Sequence, residues 1–256
     1  MNLMDSTTCT PCIERDFRLE IARGKIPGLS FAVFSGIDRA LGATATTISP
    51  SGAIYPFLAA ATTLSVASTS VNDTYPEGTG ARQITIPGLN TNYEPISETV
   101  NLNGTTPVTT TQSFLRVQPF PQVVSAGSLK SNAGTISISS GASILGRIDI
   151  GESIGKHTVY TVPLGFTAFS TDQIFTCGSG NAVEIKEYAD FGGSGIFLNF
   201  SNFFLYENAL ILIPQNFFPL VEKTDIDIRA VRSAGLSAQV TAFYELLLVD
   251  NSIYFF

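Results

Sequence analysis

Few residues of this chain have chemistry to offer a reaction. There are three cysteines and one histidine in 256 residues. Cys9 and Cys12 stand in C-x-x-C spacing, enough for two corners of a tetrahedral zinc site. No second pair supplies the other corners, and Cys177 stands far away. No βαβ pattern follows the motif, so a thioredoxin-like redox pair is not expected. The odd count argues against a disulfide scaffold, and the two N-terminal thiols read as free.

A Ser-His-Asp triad would run through His157, and no G-x-S-x-G elbow supplies its nucleophile. This lone histidine, in "GKHTVY", reads as a surface or interface residue at a strand start. Asp225 and Asp227 share a strand face, the arrangement nearest to the paired carboxylates of glycoside hydrolysis. "TDIDIRA" reads more simply as a solvated face. Glu184 and Glu187 flank Lys186 and read as surface charge. "DFGGSG" (190–195) is glycine-rich like a phosphate loop but lacks the G-x-x-x-x-G-K-[ST] lysine and opens no helix. Its "DFG" has none of the companion kinase elements, so a flexible loop is expected. "NDT", "NGT" and "NFS" match the glycosylation sequon, but no basic region followed by an apolar stretch marks a secretory leader. The chain is therefore expected to be no enzyme, with no catalytic residue, metal or cofactor.

Composition narrows the class further. Charged residues are 14% and hydrophobic ones 44%, against about 25% charged in ordinary domains. The surface must be dressed with Ser, Thr, Asn and Gln, which suits a protein packed against others. The net charge of −7 disfavours nucleic acid, because phosphate neutralisation needs clustered cations. Arg15, Arg18, Arg23 and Lys25 are offset by Asp5, Glu14, Asp16 and Glu20. No apolar run is long enough to span a membrane.

The elements that would position such residues are strands. Residues 1–40 read as an N-terminal arm: Ile13, Phe17 and Ile21 fit a helix, Phe17, Leu19 and Ile21 a strand, and Gly24, Pro27 and Gly28 stop either. From about Ser51, short strands recur about every ten residues, the pattern of a sandwich or barrel. Ile84 and Ile86 share one face of "ARQITIPG", and "NGTT" is a hairpin signal. Ser139–Ala142 reads as a boundary. Beyond it, "RIDIG", "HTVYTVP", "FTAFSTDQIFTC", "AVEIKEYAD", "GIFLNFSNFFLY", "ALILIP", "TDIDIRAVR" and "AQVTAFYELLLVD" are candidate strands, suited to a jelly-roll-like sandwich. The expected fold is all-β: an arm (1–40), an antiparallel β-sandwich domain (41–141) and a jelly-roll-like β-sandwich domain (142–256).

The aromatic residues point to assembly. Residues 196–220 are dense in Phe, and the tail adds Tyr254, Phe255 and Phe256. Strand alternation puts Phe197, Asn199, Ser201 and Phe203 on one face, and Leu198, Phe200, Asn202 and Phe204 on the other. Both faces carry large apolar groups, so a second sheet covers one and a neighbouring subunit the other. Phe197, Phe200, Phe203, Phe204 and the tail aromatics are the candidate interface, with Phe17 and Ile21 of the arm as partner contacts. A homotrimer is expected.

One string is specific enough to carry a resemblance. "GTGARQITIPGLNTNYEPISETVNLNGTTPVTTTQSFLRV" (78–117), then "VVSAGS" and "NAGTISI", resembles a structural-protein module of tailed phages, frequent in aquatic phages and related viruses. "IARGKIPGLSFAVFSG" and "VYTVPLGFTAF" are similar to weaker parts of the same group. The resemblance implies a virion component, assembled in the host cytoplasm, with no catalytic residues. The expected role is a capsid decoration or cement protein binding the major capsid protein. The alternatives are a tail, collar, baseplate or fibre-anchoring component, or a receptor- or carbohydrate-binding protein.

Overall fold

The computed structural model describes residues 16–178, 182–206, 209–213, 218–234 and 238–253. Its start corrects the expectation of an arm. Asp16 accepts from the Arg18 backbone N–H at 2.9 Å and caps a short helix, α1 (Phe17–Ala22), satisfying one of the orphan donors that every helix start leaves. The helix folds back on the chain: Ile21 is buried, and the Arg18 guanidinium reaches Asp172 at 2.5 Å and also pairs with Glu245. Residues 29–40, expected within the arm, belong to the long strand β1 (Leu29–Leu41), which is followed by β2 (Thr46–Thr47).

The next segment forms β3 (Ser65–Ser68), β4 (Ala81–Leu89), β5 (Pro95–Asn101), β6 (Val108–Thr109), β7 (Arg116–Val117), β8 (Gln122–Ala126), β9 (Ile136–Ser140) and β10 (Ser143–Ile148). They make two antiparallel sheets, β10-β9-β3-β6 and β5-β4-β7, with β8 also on β4. Ile84, Ile86 and Val100 share one buried cluster with Val66, Ile136 and Ile138 of the other sheet. Asn103-Gly104 does not close a hairpin: β5 pairs with β4 and β6 with β3, so the turn carries the chain from one sheet to the other. Ser139–Ala142 is not a boundary either. Ser140 pairs with Ser143, so the stretch is the turn of the β9–β10 hairpin.

The Gly/Thr/Asn-rich string is organised by a residue just upstream of it. Asp73 is wholly buried. One carboxylate oxygen accepts from the Ala81 and Ala133 backbone N–H groups, both at 2.7 Å. The other accepts from Gly134 N–H at 2.8 Å and the Ser68 hydroxyl at 2.5 Å. Such charge-assisted bonds are the strong ones, and here they tie β3, β4 and the loop before β9 together. Gly80 is required beside them, since a Cβ there would lie 2.1 Å from the carboxylate. Gly88 likewise lets β7 approach, with a Cβ 2.4 Å from the Arg116 carbonyl.

The chain then makes β11 (Val159–Thr161), β12 (Phe166–Cys177), β13 (Ala182–Asp190), β14 (Leu198–Tyr206), β15 (Ala209–Leu212), β16 (Pro219–Leu220), β17 (Asp225–Ala234) and β18 (Ala238–Asp250). One sheet runs β1-β18-β12-β15, with β16 on β12; the other runs β11-β17-β13-β14, with β2 on β17. The arm-derived β1 pairs antiparallel with β18 from Leu29↔Val249 to Leu41↔Ala238. Inward residues of both sheets form one core. Phe34 of β1 stacks on Tyr160 of β11 and on Tyr244 of β18, at 5.6 and 5.0 Å between ring centroids. The segment holding β3–β10 is therefore bracketed in sequence by strands of one sheet pair.

Candidate functional site

The expected assembly strand lies at an edge. Among the described residues, β14 pairs with β13 alone and β15 with β12 alone. The simple alternation read from sequence is interrupted by a bulge: Glu187 faces Ser201 and Tyr188 faces Asn199, leaving Phe200 as the extra residue. A bulge bends a strand and re-aims its side chains. Beyond it Phe203 and Leu205 turn inward, and Phe203 stacks against Phe175 at 6.2 Å. Phe200 is 43% exposed and Phe204 57%; Leu198 and Tyr206 on the same strand are exposed, as are Ile211 and Ile213 at the edge of the other sheet. Neither Leu198–Tyr206 nor Ala209–Leu212 contains a charged residue. Natural edges are ordinarily protected by charge, proline or a cover, and this one carries none of the first two. Its nearest charges on β13, Glu184 and Lys186, pair with each other at 3.1 Å.

The other expected contact residues are dispersed. Ile21 is buried in its own chain, so it is no partner contact, and Phe17 is exposed on α1. Phe197 is half-buried and packs on Phe57 at 4.7 Å. Phe203 belongs to the core margin. Among the described residues, the named aromatics exposed on one strand are Phe200 and Phe204. Tyr254, Phe255, Phe256, Cys9 and Cys12 lie outside the described residues.

Asp225 and Asp227 do share a strand face, but both are buried, which corrects the solvated reading. The face is covered by β2 and by the segment around β7. Arg116 clamps Asp225 with two hydrogen bonds, 2.8 and 2.6 Å, and Thr161 donates to the same carboxylate at 2.5 Å. Arg116 also donates to the Leu58 carbonyl at 2.7 Å, and its guanidinium lies over the Phe57 and Tyr93 rings. Burial pulls the Arg116 pKa down, but the Asp225 hydrogen bonds and charge outweigh it and the net shift is upward. Asp227 pairs with Arg229 at 2.5 Å and accepts from Thr47 at 2.7 Å, and its pKa is raised because burial outweighs both. Phe57, Tyr93, Phe197, Asp190 and the Arg116–Asp225 pair line a cleft of about 470 Å³. Asp190 folds the "DFGGSG" turn on itself, accepting from Ser194 N–H and Gly195 N–H at 2.7 Å each. That loop is a hydrogen-bonded turn.

Two titratable residues expected at the surface lie in the interior. His157 is buried against Tyr55, rings stacked at 5.7 Å, and neither ring nitrogen has a partner in hydrogen-bonding geometry. Burial lowers its pKa to about 4, against a smaller opposing pull from the Gln118 backbone. Glu187 points into the core between the two sheets of β11–β18, and burial raises its pKa to about 7 against hydrogen bonds from Tyr244 and Ser201. Among the described residues no cluster of His, Cys, Asp and Glu could hold a metal ion, and no helix is long and apolar enough to cross a membrane.

No protein-family profile matches the sequence, and no characterised protein matches it. Among solved structures, infectious bursal disease virus strain Gx and the VP2 subviral particle of infectious bursal disease virus each align with a TM-score of 0.20. The identities are 9% and 10%, over 88% of this chain and 73% of those chains. At that score the likeness establishes neither a common fold nor a common role.

Proposed function

We propose that the protein is a non-enzymatic structural component of a virion, a capsid decoration or cement protein that assembles with its own copies and with the major capsid protein. The observation that carries the reading is the uncharged β14 edge bearing Leu198, Phe200, Phe204 and Tyr206. Large rigid apolar groups on an open edge favour burial against another protein. Burying a large apolar side chain contributes roughly 1.5–3 kcal/mol, and the part still exposed on Phe200 and Phe204 is about half of that. Several such residues per copy, set in a low-charge surface, support a permanent assembly; the proposed closed form is a homotrimer. The sequence resemblance to a phage structural module supports the virion as the place. In architecture we read two β-sandwiches, the second jelly-roll-like, with the β3–β10 unit inserted between β2 and β11.

The test has two arms. Light scattering of the full chain at micromolar concentration is expected to give a closed oligomer, and a Phe200→Asp, Phe204→Asp double variant a folded monomer. A cryo-EM map of intact particles is expected to place the chain on the capsid. A monomeric wild type together with absence from particles would overturn the reading. The aromatic-lined cleft favours a second reading, binding of a receptor or glycan. Arg116 already occupies the faces of Phe57 and Tyr93, so the cleft supports that role less than the edge supports assembly.

A further inference from the structure

We propose that Glu187 is a proton-controlled latch beneath the β14 edge: protonated, it holds β14 against the sheet pair, and ionised, it releases it. The regulation rests on the assembly reading above, because β14 is the strand that displays Phe200 and Phe204.

The geometry is specific. Glu187 alternates with Val183, Ile185 and Ala189 on the inward face of β13, so a carboxyl stands where the pattern calls for an apolar side chain. The groups facing it are uncharged. Tyr244 comes from β18 and Ser201 from β14, and both pull its pKa down against the larger effect of burial. From β12, Gln173 donates to the Tyr244 hydroxyl at 2.5 Å and to Ser170 at 3.0 Å. Ile228 is its register partner on β17. The neighbouring charges point elsewhere: Lys186 to Glu184, and Asp172 and Glu245 to Arg18 on the outer surface. Tyr244 itself has a pKa pushed far up by burial and stays neutral. One oxygen of Glu187 and the side-chain oxygen of Gln173 are both buried without a hydrogen-bond partner. A buried carboxylate with no cation is strongly disfavoured, and a proton on the free oxygen removes the charge. The raised pKa of about 7 agrees with this.

Ionisation must then be relieved by water, and the topology decides where it enters. β13, β12 and β18 each have strand neighbours on both sides, while β14, among the described residues, pairs with β13 alone and otherwise packs through Phe203 and Leu205. Glu187 meets β14 at the bulge, where Phe200 is already out of register. Local opening follows the least-held element, so β14 moves. The carboxyl sits at about 7 when closed and at its ordinary 4.5 when solvated, so the opened fraction rises about tenfold between roughly pH 6 and pH 8. By reciprocity, a copy docked on β14 holds the latch closed to higher pH.

The experiment is hydrogen exchange of the full chain, read on peptides covering 182–206 and corrected for the intrinsic pH dependence of exchange. Wild-type protection is expected to fall about tenfold between roughly pH 6 and pH 8, while Glu187→Gln, neutral at both, shows no such fall. Infrared spectra of wild type with isotope-labelled glutamate add a readout that needs no variant: a protonated carboxyl band at pH 6 that disappears with a midpoint near 7. Equal pH dependence in wild type and variant, or no protonated band at pH 6, would overturn the latch. Mass by light scattering at both pH values separates the two ideas. A local opening with a monomer at every pH keeps the latch and removes the assembly edge. A change in mass without local opening removes the latch.

Discussion

The two misplaced titratable residues act on global stability in opposite directions, and single substitutions are expected to expose this. Glu187 has its folded pKa raised from 4.5 to about 7. Below 4.5 both folded and unfolded chains are protonated and nothing is lost. As pH rises from 4.5 through 7, the unfolded chain releases a proton that the folded chain keeps, and stability falls by about 3 kcal/mol. His157 has its folded pKa lowered from 6.5 to about 4. Above 6.5 both states are neutral. As pH falls from 6.5 through 4, the unfolded chain takes up a proton that the folded chain refuses, and stability falls by about 3 kcal/mol in that direction. Between 4.5 and 6.5 the slopes are about 1 kcal/mol per pH unit, of opposite sign, and they cancel. Glu187→Gln removes one slope, so its stability should rise with pH relative to wild type across this window. His157→Phe keeps the stack on Tyr55 and should show the reverse. The double variant should parallel the wild type again. The assay is urea unfolding followed by far-ultraviolet circular dichroism at a series of pH values. Single variants that track the wild type across the window would refute the burial argument for both residues.

Three further outcomes are expected, each from unfolding midpoints. Asp73→Asn turns half of a four-bond acceptor into a donor facing backbone N–H groups; the loss should be about 3 kcal/mol or more, and a shift under about 1 kcal/mol would remove Asp73 from its organising place. Arg116→Ala strands a buried carboxylate at Asp225 and should destabilise by about 3–5 kcal/mol, whereas Arg116→Met with Asp225→Leu should recover much of it. Deleting residues 1–40 removes α1 and nearly all of β1, the partner of β18, and should abolish cooperative unfolding.

What the sequence made legible was periodicity, and what it hid was coverage. "FTAFSTDQIFTC", "AVEIKEYAD" and "AQVTAFYELLLVD" are strands with the bounds expected of them, because alternation of apolar residues is a local property. Residues 29–40 read locally as an arm because β1 finds its partner at the far end of the chain, and no local pattern reports a pairing of Leu29 with Val249. Asp225 and Asp227 were correctly placed opposite Ile226 and Ile228, yet the outer face of β17 is covered by Thr47 and Arg116, residues more than a hundred positions away. Glu187 differs, because its signal was present: it falls in phase with Val183, Ile185 and Ala189, so strict alternation puts it inward, and only the habit of reading glutamate as surface charge put it outside. Phe200 and Phe204 were placed on one face by the same alternation, and they are exposed together even though a bulge lies between Asn199 and Ser201. An extra residue flips the phase of everything after it, so Phe203 and Leu205 would have faced out without it. The bulge therefore decides which aromatics the edge shows, and it stands where Glu187 meets Ser201. The carboxyl in the core follows from the unbroken alternation of β13, and the aromatic row on the surface from the bulge of β14 beside it.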